Sequence, residues 1–223
     1  MKKTVILIFA VFVSVIGFAQ EDNNKNKNEF RTLFSGSEIT HGGYGGLSTN
    51  YSQIDGEDAL LVGARGAWII NHGIGIGFGG YGITNNINRD VYGDGSQYQL
   101  AGGYGGLLIE PIIGAKNPIH ISIPVLIGAG GIAYVNNSYS YGNQPPYHNE
   151  YYSLDSQAFF VVEPGVELEM NMVKFFRIAV GAYYRYTSDV TLTYYKLNST
   201  ELVTENPDLK GFSFGVTLKF GKF

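Results

Sequence analysis

The feature that most constrains this chain is a strict two-residue alternation near its C-terminus. In residues 210–221, large apolar side chains occupy every second position: Phe212, Phe214, Val216, Leu218 and Phe220. The positions between them carry small or polar residues: Gly211, Ser213, Gly215, Thr217 and Lys219. Because successive side chains of a β-strand point to opposite faces, the pattern predicts a strand with one apolar face and one polar face.

The rest of the chain also predicts β-structure. No segment combines an apolar stripe of helical period with residues that cap a helix, so the prediction is an all-β chain. Residues 118–135 hold no charged side chain and approach the length of a membrane-spanning helix. Pro118, Pro124 and clustered glycines weaken a helix there, so the segment is also predicted as a strand. The predicted strands cover 42–54, 59–70, 73–84, 97–112, 118–134, 157–171, 175–188 and 210–221.

The polar face of these strands is unusual because it consists mainly of Gly, Ala and Ser, with few, widely spaced charges. The chain has 31 glycines among 223 residues, about twice the usual frequency of about 7%. A soluble β-sandwich also alternates, but its water-facing side is densely charged. Small residues and isolated ions instead suit the narrow lumen of an eight-stranded barrel, and the apolar face suits lipid.

The predicted links between strands alternate in length. Short links follow strands two, four and six, at 71–73, 114–117 and 172–174, and long polar links follow strands three, five and seven, at 85–96, 135–156 and 189–209. The first link, 55–58, is short and acidic. Short periplasmic turns and long outer loops are typical of transmembrane barrels. The prediction is a closed antiparallel up-and-down transmembrane β-barrel of about eight strands.

The N-terminus predicts export. Lys2 and Lys3 precede an uncharged apolar run, and the small residues Gly17 and Ala19 precede Gln20 at the positions that a signal peptidase prefers. We therefore expect a signal peptide over residues 1–19, cleaved near Ala19. A flexible periplasmic lead-in over 20–41 and an outer-membrane barrel over 42–223 would follow.

Seven charged residues share the parity of the small-residue face. Two interpretations remain open: a structural network of ion pairs that plugs the lumen, which we favour, and a path for protons or substrate. The spacing of strands six and seven predicts that Arg177 lies opposite Glu169 or Glu167. Glu110 is expected on the lipid face unless a bulge near 105–106 turns it inward. The predicted lumen network consists of Arg65, Glu163, Glu167, Glu169, Arg177, Arg185 and Lys219.

Sequence motifs for catalysis, metals or cofactors are not apparent. Residues 75–80 match G-x-G-x-x-G, but they lie within a predicted strand rather than at a strand-to-helix turn. Cysteine is absent and no H-E-x-x-H pattern occurs. No Ser lies in a G-x-S-x-G nucleophile elbow, because the match at 211–215 falls inside the predicted last strand. Neither a catalytic residue, a metal ligand nor a cofactor is therefore predicted. Ser122 and His120 share one face, but that face is the lumen. A net charge of −4 argues against a nucleic-acid partner.

The last strand resembles the assembly signal of outer-membrane barrels. In Ser213 to Phe220, a polar residue is followed two positions later by Gly215 and then by hydrophobic residues spaced by two, among them Leu218 and Phe220. The phenylalanine at the end of the chain, Phe223, also resembles the pattern of outer-membrane barrels. From about Gly42 the chain resembles small outer-membrane β-barrel proteins of the OmpA-like, eight-stranded type in Gram-negative bacteria. The resemblance implies insertion by the barrel assembly machinery, and we expect a monomer surrounded by outer-membrane lipid.

Four functional hypotheses follow. The first is a non-enzymatic integral barrel with a structural or surface-contact role, in which the tyrosine-rich loop 135–156 could bind an extracellular partner. The alternatives are a lipid-modifying enzyme, a narrow passive pore and a soluble secreted β-protein.

Overall fold

The computed structural model describes residues 39–85, 98–136, 156–195 and 202–223. Within these ranges no helix is long and apolar enough to cross a membrane. The strands are β1 (His41–Ile54), β2 (Glu57–Ile70), β3 (Ile74–Asn85), β4 (Tyr98–Ile113), β5 (Ile119–Ser122), β6 (Val125–Asn136), β7 (Ser156–Val173), β8 (Phe176–Thr187), β9 (Leu192–Tyr195), β10 (Leu202–Glu205) and β11 (Gly211–Lys222).

The main sheet closes on itself. All its pairings are antiparallel: β1 to β4 pair in chain order, β7 pairs with β8, β8 with β11, and β11 with β1. Both β5 and β6 lie between β4 and β7, so they share one position and the ring has eight strand positions. The prediction of an all-β, eight-stranded antiparallel barrel is confirmed.

The predicted segments coincide with the barrel strands to within two residues, except for the fifth. That segment is divided into β5 and β6 at Ile123 and Pro124, because proline has no N–H to donate to the ladder. The register does not change across the break, since Ser122 pairs with Glu167 and Val125 with Pro164. Pro124 therefore interrupts the strand without producing a bulge in the ladder to β7.

A second small sheet was not predicted. In the link between β8 and β11, β9 and β10 pair as an antiparallel hairpin. The predicted long links 85–96 and 135–156 lie almost entirely outside the described residues, as does the chain before residue 39, which contains the predicted signal peptide and most of the lead-in.

Tight turns fix the register of the short hairpins. Asn71 and His72 have φ of 50° and 55°, and Gly73 N donates to Ile70 O at 3.0 Å. Two consecutive positive φ angles define the turn whose twist matches a β-hairpin. We call the end of the barrel with the β2–β3, β4–β5 and β7–β8 turns the short-turn end. The opposite end, with the links β1–β2, β3–β4, β6–β7 and β8–β11, is the long-link end.

The alternation of side chains separates the inside from the outside along each strand. In β7, Phe160, Val162, Val166 and Leu168 are exposed, whereas Glu163, Glu167 and Glu169 are buried. The same holds in β8 and β11 with the parity that the sequence predicted. The barrel thus has an apolar outer surface and a polar interior.

Close strand contact explains some of the glycines. A Cβ on Gly128 would lie 2.0 Å from Gly105 O, whereas a Cβ on Gly45 would meet no atom within 4 Å.

We expect Gly128→Ala to lower the free energy of unfolding by about 1–3 kcal/mol, because extra atoms in a packed site force the backbone apart. Gly45→Ala is the matched control and should change it little. Urea titration of the heat-modifiable band on gels measures both, and equal stabilities would contradict the packing described here.

Candidate functional site

The lumen is the candidate functional site because it buries eight formally charged side chains in a barrel of eight strands. Four are cations and four are carboxylates, so their formal charges cancel. They comprise the seven predicted lumen residues and Glu110: Arg65, Arg177, Arg185, Lys219, Glu110, Glu163, Glu167 and Glu169. Burial of a charge is costly unless a partner compensates it, which makes the pairing of these groups the central question.

Lys219 lies at the centre of the network. Its ammonium contacts the carboxylates of Glu110 and Glu169 and lies 3.0 Å from Glu167 Oε2. Oxygens of these three glutamates lie within 4.8 Å of one another, a spacing that could hold a metal ion. Here the ammonium of Lys219 supplies the positive charge that such a ligand set requires. The cluster is therefore a carboxylate cage around a lysine.

Glu167 joins the cage to the middle of the barrel. Arg65 Nη2 donates to Glu167 Oε1 at 2.5 Å, and the Tyr183 hydroxyl donates to the same oxygen. Ser122 Oγ donates to Glu167 Oε2 at 3.1 Å. With Lys219, this carboxylate has four partners, so its lone pairs are satisfied without water.

Glu169 has a second set of partners near the short-turn end. His120 Nε2 lies 2.9 Å and Arg177 Nη1 lies 3.3 Å from Glu169 Oε2. The residue directly opposite Arg177 is Asn171 rather than Glu169 or Glu167, so the predicted register was wrong. The reason is that β7 continues to Val173 and the turn tightens to Lys174 and Phe175. A diagonal contact nevertheless brings Arg177 to Glu169.

Glu163 and Arg185 are both buried, but they lie outside ion-pair distance of each other. Tyr104 donates to Glu163 Oε2 at 2.6 Å. Arg185 Nε donates to the Leu209 carbonyl at 2.7 Å, and its Nη2 donates to Ser52 Oγ at 3.3 Å. The Arg185 guanidinium thus fixes the link between β8 and β11 at the long-link end.

Glu110 corrects the sequence interpretation. Its side chain is fully buried in the lumen, where the Tyr44 hydroxyl donates to it. The registers of β4 with β3 and β6 run without a bulge at Gly105 or Gly106. Glu110 was misassigned because the inner face of β4 also carries Leu100 and Leu108, so polarity did not distinguish its two faces.

Two apolar clusters enclose the charged layer. At the short-turn end, Tyr44, Ala67, Ile69, Leu108 and Ile112 pack with Ala115 and Phe223. The cluster toward the long-link end includes residues from the β8–β11 link: Ile54, Ala59, Leu61, Tyr81, Ile83, Tyr98, Leu100, Tyr104, Leu126, Ile132, Tyr134, Phe159, Val161, Val190, Leu192 and Leu209. Between them, a cavity beside Arg65 and Glu163 has a volume of about 10 Å³, room for about one water molecule.

The residues of the predicted assembly signal lie on both faces. Leu218 and Phe220 face outward, whereas Gly215 faces inward beside Asn50. Phe223 also turns inward, where its ring lies 3.9 Å from the Arg177 guanidinium and stacks on Tyr44. The described structure thus gives the terminal phenylalanine a packing role that the sequence pattern did not indicate.

Ser122 and His120, which are both among the described residues, are not hydrogen-bonded to each other. Ser122 and His120 are both buried in the lumen, but each is hydrogen-bonded to a different glutamate, Ser122 to Glu167 and His120 to Glu169. The G-x-G-x-x-G residues 75–80 lie within β3, away from any turn into a helix. Neither motif has the geometry that its chemistry requires.

Comparison with solved structures identifies the architecture. The chain is similar to Neisserial surface protein A, with a TM-score of 0.53 and 7% identity over 84% of this chain and 100% of the other. The fold is that of the small outer-membrane β-barrels. Ail of Yersinia pestis matches with a TM-score of 0.44 and 11% identity over 81% of this chain and 97% of the other. OprG of Pseudomonas aeruginosa matches with a TM-score of 0.43 and 9% identity over 82% of this chain and 94% of the other. No family model and no curated protein matches the chain.

Several lumen residues were missed by sequence reasoning. Tyr44, Tyr104 and Tyr183 each donate a hydrogen bond to a buried glutamate, and Glu110 completes the set of carboxylates. Charge balance was the available signal. The predicted network held four cations and three carboxylates, and a closed lumen should be close to neutral.

Removal of the central ammonium should be costly. We expect Lys219→Met to lower the free energy of unfolding by about 3–5 kcal/mol, because it leaves three buried carboxylates without their shared cation. Lys222→Met, on the exposed outer face of the same strand, should change it by less than about 1 kcal/mol. Arg177→Ala should fall between them, since Glu169 keeps Lys219 and His120. Unfolding in detergent monitored by gel mobility compares the three variants, and indistinguishable midpoints would contradict this assignment.

Proposed function

We propose that this chain is an integral outer-membrane β-barrel with a plugged, ion-paired lumen, which serves as a structural element of the envelope and presents contact loops at its long-link end. The observation that carries the proposal is the combination of an apolar outer surface with a charge-balanced, filled interior. Its location rests on the fold and on the predicted export signal. N-terminal sequencing of the mature protein would test cleavage after Ala19.

The outer surface favours lipid over water. Large apolar side chains are exposed at mid-height all around the barrel, including Leu47, Val62, Phe78, Leu107, Ile127, Val162, Val180 and Val216. In water, so large a contiguous apolar surface would cause aggregation. A bilayer would cover this apolar surface. The closed barrel is suited to a bilayer, because no strand edge is left with unpaired N–H and C=O groups. This argues against the soluble secreted alternative.

The filled lumen argues against a passive pore. The charged side chains are bonded to one another or to neighbouring polar groups, and buried apolar clusters lie on both sides of them. An eight-stranded barrel has an interior just wide enough for side chains to fill. A structural role for the network therefore fits better than a path for protons or substrate.

A surface-contact role remains a proposal that rests on the sequence of the loop 135–156. Only Val135, Asn136 and Ser156 of this range belong to the described residues. The loop joins β6 and β7 at the long-link end, the end that an outer-membrane barrel presents to the exterior. Tyrosines among small polar residues are suited to adaptable contacts with a partner.

A charge on the outer face tests the lipid contact. Val216 lies at the centre of β11 and is exposed, and we expect Val216→Arg to lower the free energy of unfolding in vesicles by about 2–4 kcal/mol. Gln53→Arg, on the outer face near the long-link end, should cost at most about 1 kcal/mol, because charges near the interface are tolerated. If Val216→Arg were as stable as wild type in a bilayer, the outer face would not meet hydrocarbon.

Conductance tests the closed lumen. Purified barrel incorporated into planar bilayers at neutral pH should produce no discrete conductance steps, because no continuous water path passes the charged layer and its apolar neighbours. An open porin added under the same conditions serves as the positive control. Reproducible steps that depend on the amount of barrel added would instead support the narrow pore.

A further inference from the structure

The outer face of β11, β1 and β2 carries a depression near the short-turn end. Gly43 and Gly45 of β1 and Gly66 of β2 all have outward parity, so the floor of this region is bare backbone. In register, Gly45 lies between Phe220 and Gly66, and Gly66 pairs onward with Phe78. Three strand spacings separate the two phenylalanines, a distance of about 14 Å along the sheet.

Aromatic side chains form the walls. Phe220 is 48% exposed, Phe78 is 72% exposed and Trp68 is 57% exposed, whereas a Cβ on Gly45 would meet nothing within 4 Å. The depression is therefore open, apolar and flanked by side chains that stand out from the surface. An acyl chain of a lipid can make more contacts in this apolar depression than on a smooth outer surface.

The short-turn end of the depression is basic. Gly43 pairs with Lys222 on one side and with Trp68 on the other, and Lys222 is exposed. The ring of His41 lies 5.2 Å from that of Trp68. The neighbouring β7–β8 turn brings in Lys174, because Gly221 N donates to Phe175 O at 2.9 Å.

The two ends of the barrel differ in charge. Among the described residues, the short-turn end carries Lys116, Lys174 and Lys222 and no Asp or Glu. The long-link end carries one lysine, Lys210, and six acidic residues: Asp55, Glu57, Asp58, Asp189, Glu205 and Asp208. An anionic headgroup is thus attracted to the short-turn end and repelled from the other.

We propose that the depression binds an anionic phospholipid, with an acyl chain over Gly45 and Gly66 and the phosphate beside Lys222. This inference rests on the proposed function, in which the outer face meets a bilayer. The aromatic walls bind the chain, and the lysine selects the headgroup charge. The bound lipid belongs to the leaflet at the short-turn end.

Trp68 provides the measurement, because it is the only tryptophan in the chain. The full mature barrel is folded into mixed vesicles of phosphatidylglycerol and phosphatidylcholine, with one or the other brominated on its acyl chains. Bromine quenches tryptophan fluorescence at short range, so the two samples report which lipid lies beside Trp68. At equal mole fractions, brominated phosphatidylglycerol should quench Trp68 more strongly.

Three variants locate the effect. Lys222→Gln should lower the preference for phosphatidylglycerol about fivefold, as expected for one lysine at an anionic surface. Gly45→Leu should lower the quenching by brominated phosphatidylglycerol without a change in charge, because it fills the floor of the depression. Lys210→Gln makes the same charge change at the opposite end and should leave the preference intact. Heat-modifiable gel mobility confirms that each variant is folded.

The outcomes separate this inference from the proposed function. Equal quenching of the folded barrel by both lipids would overturn the anionic site and leave the lipid-facing outer surface in place. A preference that Lys222→Gln does not reduce would also overturn the site. Absence of quenching by either lipid would contradict the membrane location itself.

Discussion

The structure depends on the mutual neutralisation of charges inside a narrow barrel. Eight strands leave an interior that side chains fill, and here that interior contains four cations and four carboxylates. The ammonium of Lys219 carries the largest part of this constraint, because Glu110, Glu167 and Glu169 all converge on it. Loss of one partner from such a network leaves an uncompensated buried charge, which costs more than the network contributes as a whole.

The two faces of the barrel follow from the same alternation. Small residues inside allow the strands to approach and make room for long charged side chains, while large apolar residues outside remain exposed. The charged layer is bounded by two apolar clusters, one closed by Phe223 and one completed by the β8–β11 link. Arg185 connects the charged layer to the cluster at the long-link end, since its guanidinium donates a hydrogen bond to the Leu209 carbonyl of the β8–β11 link. The lumen is thus a core in the ordinary sense, with ions at its centre.

Much of the fold could be predicted from the sequence because alternation and turn spacing are local. The strands, the parity of β7, β8 and β11 and the inward direction of the seven predicted charges all follow from period two. The features that were not predicted depend on contacts between segments that lie apart in the sequence. Glu110 lies on a mixed inner face, and the β9–β10 hairpin forms within a polar link. The register of Arg177 depends on β7, which ends two residues later than expected, and on a turn that is one residue shorter. The position of Phe223 over Arg177 depends on where the last strand ends, which a pattern of spacings cannot define.

The depression beside Trp68 distinguishes one part of the outer face from its surroundings. Gly43, Gly45 and Gly66 leave this part of the outer surface without side chains, and the lysine beside them belongs to an end of the described barrel that carries no Asp or Glu. Charge thus serves different purposes on the two sides of the same strand. Lys219 faces inward and is neutralised by buried carboxylates, whereas Lys222 faces outward and is exposed.

The most direct test of the central claim is the coupling energy between Glu110 and Lys219. Free energies of unfolding in detergent or vesicles would be measured for Glu110→Gln, Lys219→Met and the double variant, with wild type as the reference. If the two charges neutralise each other, the double variant should be less destabilised than the sum of the single variants, because each single change leaves one charge uncompensated. Strictly additive losses would show that the buried ions do not depend on one another, and would contradict this account of the lumen.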